Sequence, residues 1–263
     1  MNILEKICYE KKKSIENNKA IFSIDFFIKK DKKKEIRNFV SSIKKNEEKF
    51  NIITEIKRKS PSAGLIKKNF NLTKIACDYE DAGARCLSIL TEEKYFGGNL
   101  NFIKKVKEKV SLPILRKDFI IDKYQILESK IYQSDCILLI LSILSDTQAT
   151  EFISYANELN LDCIIEVHNE EELKRAIKLD YPVIGINNRN LKSLEINLNN
   201  SINLNKNLTN DYILIAESGI KNSDDIKKFN STGIYNFLIG ESLLKSKNKE
   251  KKIGELLLNE SYK

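Results

Sequence analysis

From about residue 50 to the C-terminus, short apolar runs alternate with longer amphipathic stretches. Eight short runs stand out: "IITEI" (52–56), "CLSIL" (86–90), "PILRK" (113–117), "CILLI" (136–140), "DCIIEV" (162–167), "VIGIN" (183–187), "YILIA" (212–216) and "NFLIG" (236–240). Each is apolar almost throughout, without the every-other-residue alternation of a half-exposed strand. That is the pattern of parallel strands buried on both faces. Between them, "NLTKIACDYEDAG" (71–83), "NLNFIKKVKEKV" (99–110), "DKYQILESKIYQ" (122–133) and "NEEELKRAIKLD" (169–180) space their apolar positions as amphipathic helices do. Asp146 or Thr147, Asn169 and Ser223 read as helix starts.

Successive runs begin roughly 20–35 residues apart, the length of one βα unit, and eight units predict an α/β fold, a (β/α)8 TIM barrel over 51–263. The competing open doubly wound sheet would want a G-x-G-x-x-G turn after the first strand, and the chain has none. Residues 1–50 differ in character: "ILEKICYEKKKSIE" and "KKEIRNFVSSIKK" carry helical periodicity and no strand. They predict an N-terminal helical extension that serves as a lid, a plug for the barrel bottom or an oligomer contact. The whole chain, 1–263, reads as one domain.

Composition narrows the class. With 41% hydrophobic and 31% charged residues, the 263-residue chain is globular in type. No apolar run approaches the roughly 18 residues that span a bilayer, and "MNILEKICYEKKKS" lacks the apolar core of a signal peptide, so a cytoplasmic protein without membrane contact is expected. The formal charge is +8. Its lysines are scattered, clustering only at 11–13, 29–34 and 245–252, without the aromatic interleaving of single-strand nucleic-acid binders. They read as solvated surface rather than a polyanion site. Five cysteines (8, 77, 86, 136, 163), odd in number and without C-x-x-C, read as buried reduced thiols. One histidine, His168, rules out a multi-histidine metal site.

In such a barrel the site lies at the C-terminal ends of the strands, and polar residues gather there. Strand one ends with Glu55 and Lys57, two apart and so on one face. Lys117 closes the third strand and Glu166 the fifth; "NNRN", "ESGI" and "IGES" follow the sixth, seventh and eighth. The bottom ends show no comparable density. Gly219 and Gly240, in the turns 218–219 and 240–241, suit a phosphate site after the last two strands, though glycine also simply permits tight turns. Arg189 suits a phosphate or carboxylate, or equally a brace for the rim. His168 reads as a turn or helix-start residue. Burial would draw a mouth lysine down towards neutrality, as acid catalysis favours, while interleaved carboxylates would hold it charged.

These residues carry a resemblance. "IITEIKRKSPSAG", "SILTEEKYFGG", "PILRKDFIIDKYQI", "DCIIEVHNEEEL", "IGINNRNLKSLEI", "IAESGI" and "LIGESLL" resemble, in order and spacing, the indole-3-glycerol phosphate synthase family, and the amino-terminal "LEKICYEKKKS" and "RNFVSSI" resemble its extra helices. "EIKRKSPSAG" and "GINNRNL" are the most specific signatures. Thr54, Lys59 and "SDCILLI" are mild departures that alter no catalytic residue type.

The resemblance implies conversion of 1-(2-carboxyphenylamino)-1-deoxyribulose 5-phosphate to indole-3-glycerol phosphate, CO₂ and water, with no cofactor and no metal. It implies Lys117 as general acid, Glu166 as the carboxylate of the dehydration step, Lys57 as a further acid and Glu55 as an orienting or relaying group. Asn187 and Ser218 complete the catalytic set. Ser60, Phe119, Arg189, Leu191, Glu217, Gly219, Gly240 and Glu241 form the substrate-binding set, with Ser60 beginning a loop shaped by Pro61 and Gly64. Arg58 and Lys59 then divide into one rim brace and one solvated side chain. The expected partner is a phosphorylated small molecule, with no nucleic acid, membrane or obligate protein partner. Two readings compete: another phosphate-binding barrel of the same pathway, and a basic scaffold that binds nucleic acid.

Overall fold

The eight apolar runs close into a barrel of parallel strands. The computed structural model describes residues 2–23, 36–44, 50–191, 193–206, 208, 211–229 and 232–258. Its strands are β1 (Asn51–Ile56), β2 (Lys59–Ser60), β3 (Gly64–Leu65), β4 (Cys86–Leu90), β5 (Ile114–Lys117), β6 (Cys136–Ile140), β7 (Asp162–Val167), β8 (Val183–Asn187), β9 (Ile213–Glu217) and β10 (Asn236–Ile239). The described helices are α1 (Ile3–Ile21), α2 (Phe39–Ser42), α3 (Leu72–Asp81), α4 (Asn101–Lys107), α5 (Lys123–Ile131), α6 (Asp146–Glu158), α7 (Glu170–Lys178), α8 (Asn199–Asn205), α9 (Ser223–Lys227), α10 (Glu241–Lys245) and α11 (Lys249–Leu256). Barrel order is β1-β10-β9-β8-β7-β6-β5-β4, and β4 pairs back with β1. The two-residue strands β2 and β3 form a separate antiparallel hairpin on the loop after β1.

Capping explains where the helices begin. Side chains of Asn71, Asp122, Asn169 and Asn248 each accept a backbone N–H from the first turn of α3, α5, α7 and α11. Two starts differ from the sequence expectation. Ser145, not Asp146 or Thr147, caps α6, because Gln148 completes a reciprocal capping box with it. Asn222, not Ser223, caps α9 in the same way with Asp225.

Strand alternation sorts the core into two layers. Ile52, Ile114, Ile165, Ile184, Leu214 and Phe237 face the helices. Ile53, Leu115, Leu138, Ile164, Val183, Ile215 and Leu238 fill the barrel interior. Two residues further along the same inward rows stand Glu55 above Ile53, Lys117 above Leu115, Glu166 above Ile164 and Glu217 above Ile215. The packing that fixes the interior therefore also aims these four charged groups into the mouth.

The N-terminal extension closes both ends. Phe39 and Ile43, fully buried, plug the bottom against Ile53, Cys86, Cys136 and Val183. Asp162 accepts the Val40 N–H (3.0 Å), and Asp135 accepts those of Arg37 and Ile114 (2.7 Å each) while pairing with Lys107. The bottom is thus richer in buried polar groups than the sequence suggested, but these groups satisfy one another. At the top, Ile3, Leu4 and Ile7 of α1 line the mouth, and Ile15 packs with Tyr124, Leu127 and Ile131 of α5. Among the described residues, α1 thus lies at the mouth and α2 against the bottom. In the second predicted helix, only 39–42 is helical among the described residues; 36–38 is not, and 33–35 and 45 lie outside them. Cys86, Cys136 and Cys163 are buried as expected, whereas Cys8 and Cys77 are half-buried.

Candidate active site

The charged residues at the strand ends meet in one cluster. Lys117 Nζ donates to Glu166 Oε2 and to Glu217 Oε2, at 2.6 Å each. Asn187 Nδ2 lies 3.3 Å from Glu166 Oε1, and Lys57 pairs with Glu55 on their shared face of the β1 end. Glu55, Glu166 and Glu217 are buried. Burial works against the Lys117 ammonium, but Glu166 and Glu217 outweigh it and hold its pKa above the ordinary lysine value. The lysine is therefore charged, not drawn towards neutrality. Its two carboxylates are unequal. Burial pushes Glu166 up, but Lys117 and His168 more than reverse this and leave it well below the usual carboxylate range. Glu217 is pushed above that range by burial, with Glu166 adding to the effect against the pull of Lys117. Its Oε1 is buried with no hydrogen-bond partner among the described residues. Room for that oxygen exists because residue 185 is glycine: a Cβ there would collide with Glu217 Oε1.

Two lobes open from this cluster. One, of about 130 Å³, is walled by Ile3, Leu4, Ile7, Leu90, Phe96 and Phe119, with the last two rings 6.1 Å apart. Ser60, Pro61 and Leu191 also border it, and Ser60 Oγ accepts the Ala63 N–H (3.1 Å) to fold the loop after β1. The other lobe, of about 700 Å³, is lined by Ser218, Gly219, Gly240, Glu241 and Ser242 with Lys221 and Lys245. Glu55, Lys57, Lys117, Asn187, Arg189 and Ser218 border both. All fourteen site residues expected from the sequence line one lobe or the other.

Local backbone shapes the polar lobe. Ser218 and Gly219 both take positive φ, 66° and 90°, and Asn188 Nδ2 holds the turn through the Ser218 carbonyl (3.2 Å). Arg189 shares its duties: one N–H donates to Leu194 O (2.9 Å), bracing its own loop, while the side chain also borders both lobes. Glu241 turns its carboxylate to Lys245 (2.5 Å), whose hydrogen bond keeps its pKa low. Lys59 is the rim brace, donating to Lys94 O (2.6 Å), and Arg58 is exposed.

The sequence reading missed three contributions. The α1 face Ile3, Leu4 and Ile7 is apolar at helical spacing, but nothing local says which surface it covers. Phe96 stood within a quoted segment without a role. His168 proves to contact Glu166, with Nε2 3.1 Å from Oε1.

The indole-3-glycerol phosphate synthase family model matches residues 4–256. An indole-3-glycerol phosphate synthase of Legionella pneumophila (strain Paris) is 42% identical over 97% of this chain and 98% of its own length. One from Acetivibrio thermocellus is 39% identical over 96% and 98%. A tryptophan biosynthesis protein TrpCF of Buchnera aphidicola from Schizaphis graminum is 44% identical over 98% of this chain, which spans 56% of that longer protein. Among solved structures, a 3-hexulose-6-phosphate synthase aligns with TM-score 0.64 at 12% identity, over 79% of this chain and 98% of its own, a likeness of fold alone. With the catalytic-type residues already converging at the strand ends, the chain belongs to the indole-3-glycerol phosphate synthase family.

Proposed function

We propose that Lys117, Glu166 and Lys57 carry the proton transfers of the family reaction in this chain. The activity is that of a carboxy-lyase of tryptophan biosynthesis, converting 1-(2-carboxyphenylamino)-1-deoxyribulose 5-phosphate to indole-3-glycerol phosphate, CO₂ and water. The observation that carries the residue assignment is the Lys117 ammonium, fixed between two buried carboxylates where the apolar and basic lobes meet.

The anthranilate ring sits in the apolar lobe and the phosphate in the basic one, which places the ketone between them at Lys117. The ring carbon bearing the carboxylate attacks the ketone carbon, and charge develops on the ketone oxygen. A developing alkoxide is far more basic than an amine, so the proton moves from Lys117 although its carboxylates hold the resting ammonium charged. Loss of CO₂ leaves its electron pair to the ring system. Glu166, whose pKa Lys117 and His168 hold low, takes a proton in the dehydration, and Lys57 donates one to the departing hydroxyl as Glu55 holds it in place. Asn187 and the unpartnered Glu217 Oε1 orient substrate polar groups.

The phosphate assignment is tested by a crystal structure with inorganic phosphate. The ion is expected between Ser218–Gly219 and Gly240–Glu241, within reach of Lys57 or Arg189; occupancy only outside the basic lobe would remove that part of the proposal.

The protein works, in this proposal, in the cytoplasm on a small molecule, without nucleic acid, membrane or protein partner. Many surface lysines are neutralised locally, as in Lys74–Asp78, Lys123–Glu151 and Lys174–Glu170. Among the described residues no helix is long and apolar enough to cross a membrane. Residues 1–50 and 51–263 act as one unit, a reading supported by α1 at the mouth and α2 at the bottom.

A further inference from the structure

The two carboxylates on Lys117 are chemically the same group, so their surroundings decide which holds its charge more firmly. Glu217 has glycine beside it and one oxygen without a hydrogen-bond partner among the described residues. Glu166 has a second cation. Its Oε1 lies 3.1 Å from Nε2 of His168, an ion-pair contact off the hydrogen-bond axis. His168 follows Glu166 by two positions and so shares its inward face.

The other ring nitrogen is held just as closely. Nδ1 lies 3.0 Å from Glu172 Oε2 on α7 and 3.0 Å from Ser142 Oγ in the loop after β6. Glu172 is fixed in turn: Oε2 accepts the His168 backbone N–H (2.9 Å), and Oε1 accepts from Ser142 Oγ (3.0 Å) and Asn169 Nδ2 (3.1 Å). From α8, Asn200 Nδ2 donates to the His168 carbonyl (3.1 Å). The remaining charged side chains along the adjoining groove are Glu5, Glu171, Arg175 and Glu195, and Arg175 is engaged with Asp146 (2.6 Å).

An imidazole between two carboxylates has an acceptor facing each nitrogen. The doubly protonated ring puts positive charge beside both, through Nδ1–H towards Glu172 and by close off-axis contact at Nε2 with Glu166, whereas either neutral tautomer sets a lone pair beside an anion. We propose that His168 is a positioning residue held as an imidazolium, which fixes Glu166 in place and makes it, rather than Glu217, the carboxylate on Lys117 that holds its charge more firmly. His168 transfers no proton in the reaction. Its ring lines neither lobe of the substrate pocket and reaches the chemistry only through Glu166. Burial opposes the charge, but Glu166 and Glu172 overcome it and raise the pKa to about 9. The inference rests on Glu166 being the base, and part of its test is independent of activity.

His168 is the only histidine in the chain, so in tag-free protein one imidazole ¹⁵N signal pair reports it without assignment. The ring is expected to stay doubly protonated through neutral pH and to titrate near 9, and Glu166→Gln is expected to lower that midpoint by about one unit or more. A wild-type midpoint near 6.5, or one indifferent to Glu166→Gln, overturns the proposal. Kinetics supply the second arm. In His168→Gln the loss of the cation lets Glu166 protonate at higher pH. The acid limb of kcat is therefore expected to move up by about one pH unit or more, with KM little changed. A drop in kcat with an unshifted acid limb would make His168 a packing residue only and overturn the proposal.

Discussion

Lys117→Met lowers kcat by about 10²–10⁴-fold, and stability changes far less than activity. Methionine preserves the length and much of the volume of lysine, so the inward row above Leu115 stays filled. What disappears is the ammonium that both Glu166 and Glu217 accept from. Two carboxylates left facing one another take up a proton between them. The variant thus loses the acid directly and its base in part, which argues for the upper half of the range. The pH dependence of folding follows. Glu217 is already held above the carboxylate range in wild type; without the lysine the shared carboxylate pKa rises further, so the folded variant keeps its proton to higher pH. Its stability is complete at acid pH and declines as pH rises through the raised pKa. The Tm deficit of Lys117→Met relative to wild type is therefore expected to widen as pH rises through and above neutrality. Steady-state kinetics and thermal melts check both statements; an unchanged kcat removes Lys117 from the mechanism.

Asp118→Ala is expected to cost about 3–5 kcal/mol of folding stability, the largest loss for a single carboxylate outside the cluster. Asp118 is buried on the helix side of the mouth. Oδ1 pairs with Lys11 of α1 (2.7 Å), and Oδ2 accepts from Arg116 (3.1 Å) and Thr91 (2.6 Å). Alanine leaves Arg116 buried with Glu128 as its remaining carboxylate partner and frees α1 from its anchor over the apolar lobe. Burial raises the Asp118 pKa, but Lys11 and Arg116 reverse this and hold it far below the usual carboxylate range. A depressed folded-state pKa means its contribution is present above the unfolded value and is lost as pH falls. The stability gap between wild type and variant should accordingly close only in strong acid. Urea unfolding measures it; a loss under about 1 kcal/mol, the level of an exposed ion pair, would show that Asp118 does not anchor the helix.

Much of this was legible in the sequence because strand burial and site chemistry obey one alternation. Once "IITEIK" is read as a strand, Ile53, Glu55 and Lys57 must share a face, and the barrel decides that the face is inward. Boundaries shifted where hydrogen bonding, not hydropathy, sets them. The third barrel strand starts at Ile114 rather than Pro113, since proline has no N–H to donate. The seventh runs on to Glu217, a polar residue that the ladder with Asn187 carries. Gly240 leaves the ladder to begin α10. The hairpin β2–β3 escaped notice because two residues show no period. His168 reads as a turn residue in the sequence for a physical reason as well: its significance lies in Glu172 four residues on and Ser142 on another loop, a juxtaposition that only folding makes.

The central claim is that this mouth closes an indole ring. Incubation of the purified protein with 1-(2-carboxyphenylamino)-1-deoxyribulose 5-phosphate should give a rise of indole fluorescence with one CO₂ released per product formed. A folded protein that yields neither, while binding RNA or DNA with a steep salt dependence, would contradict it.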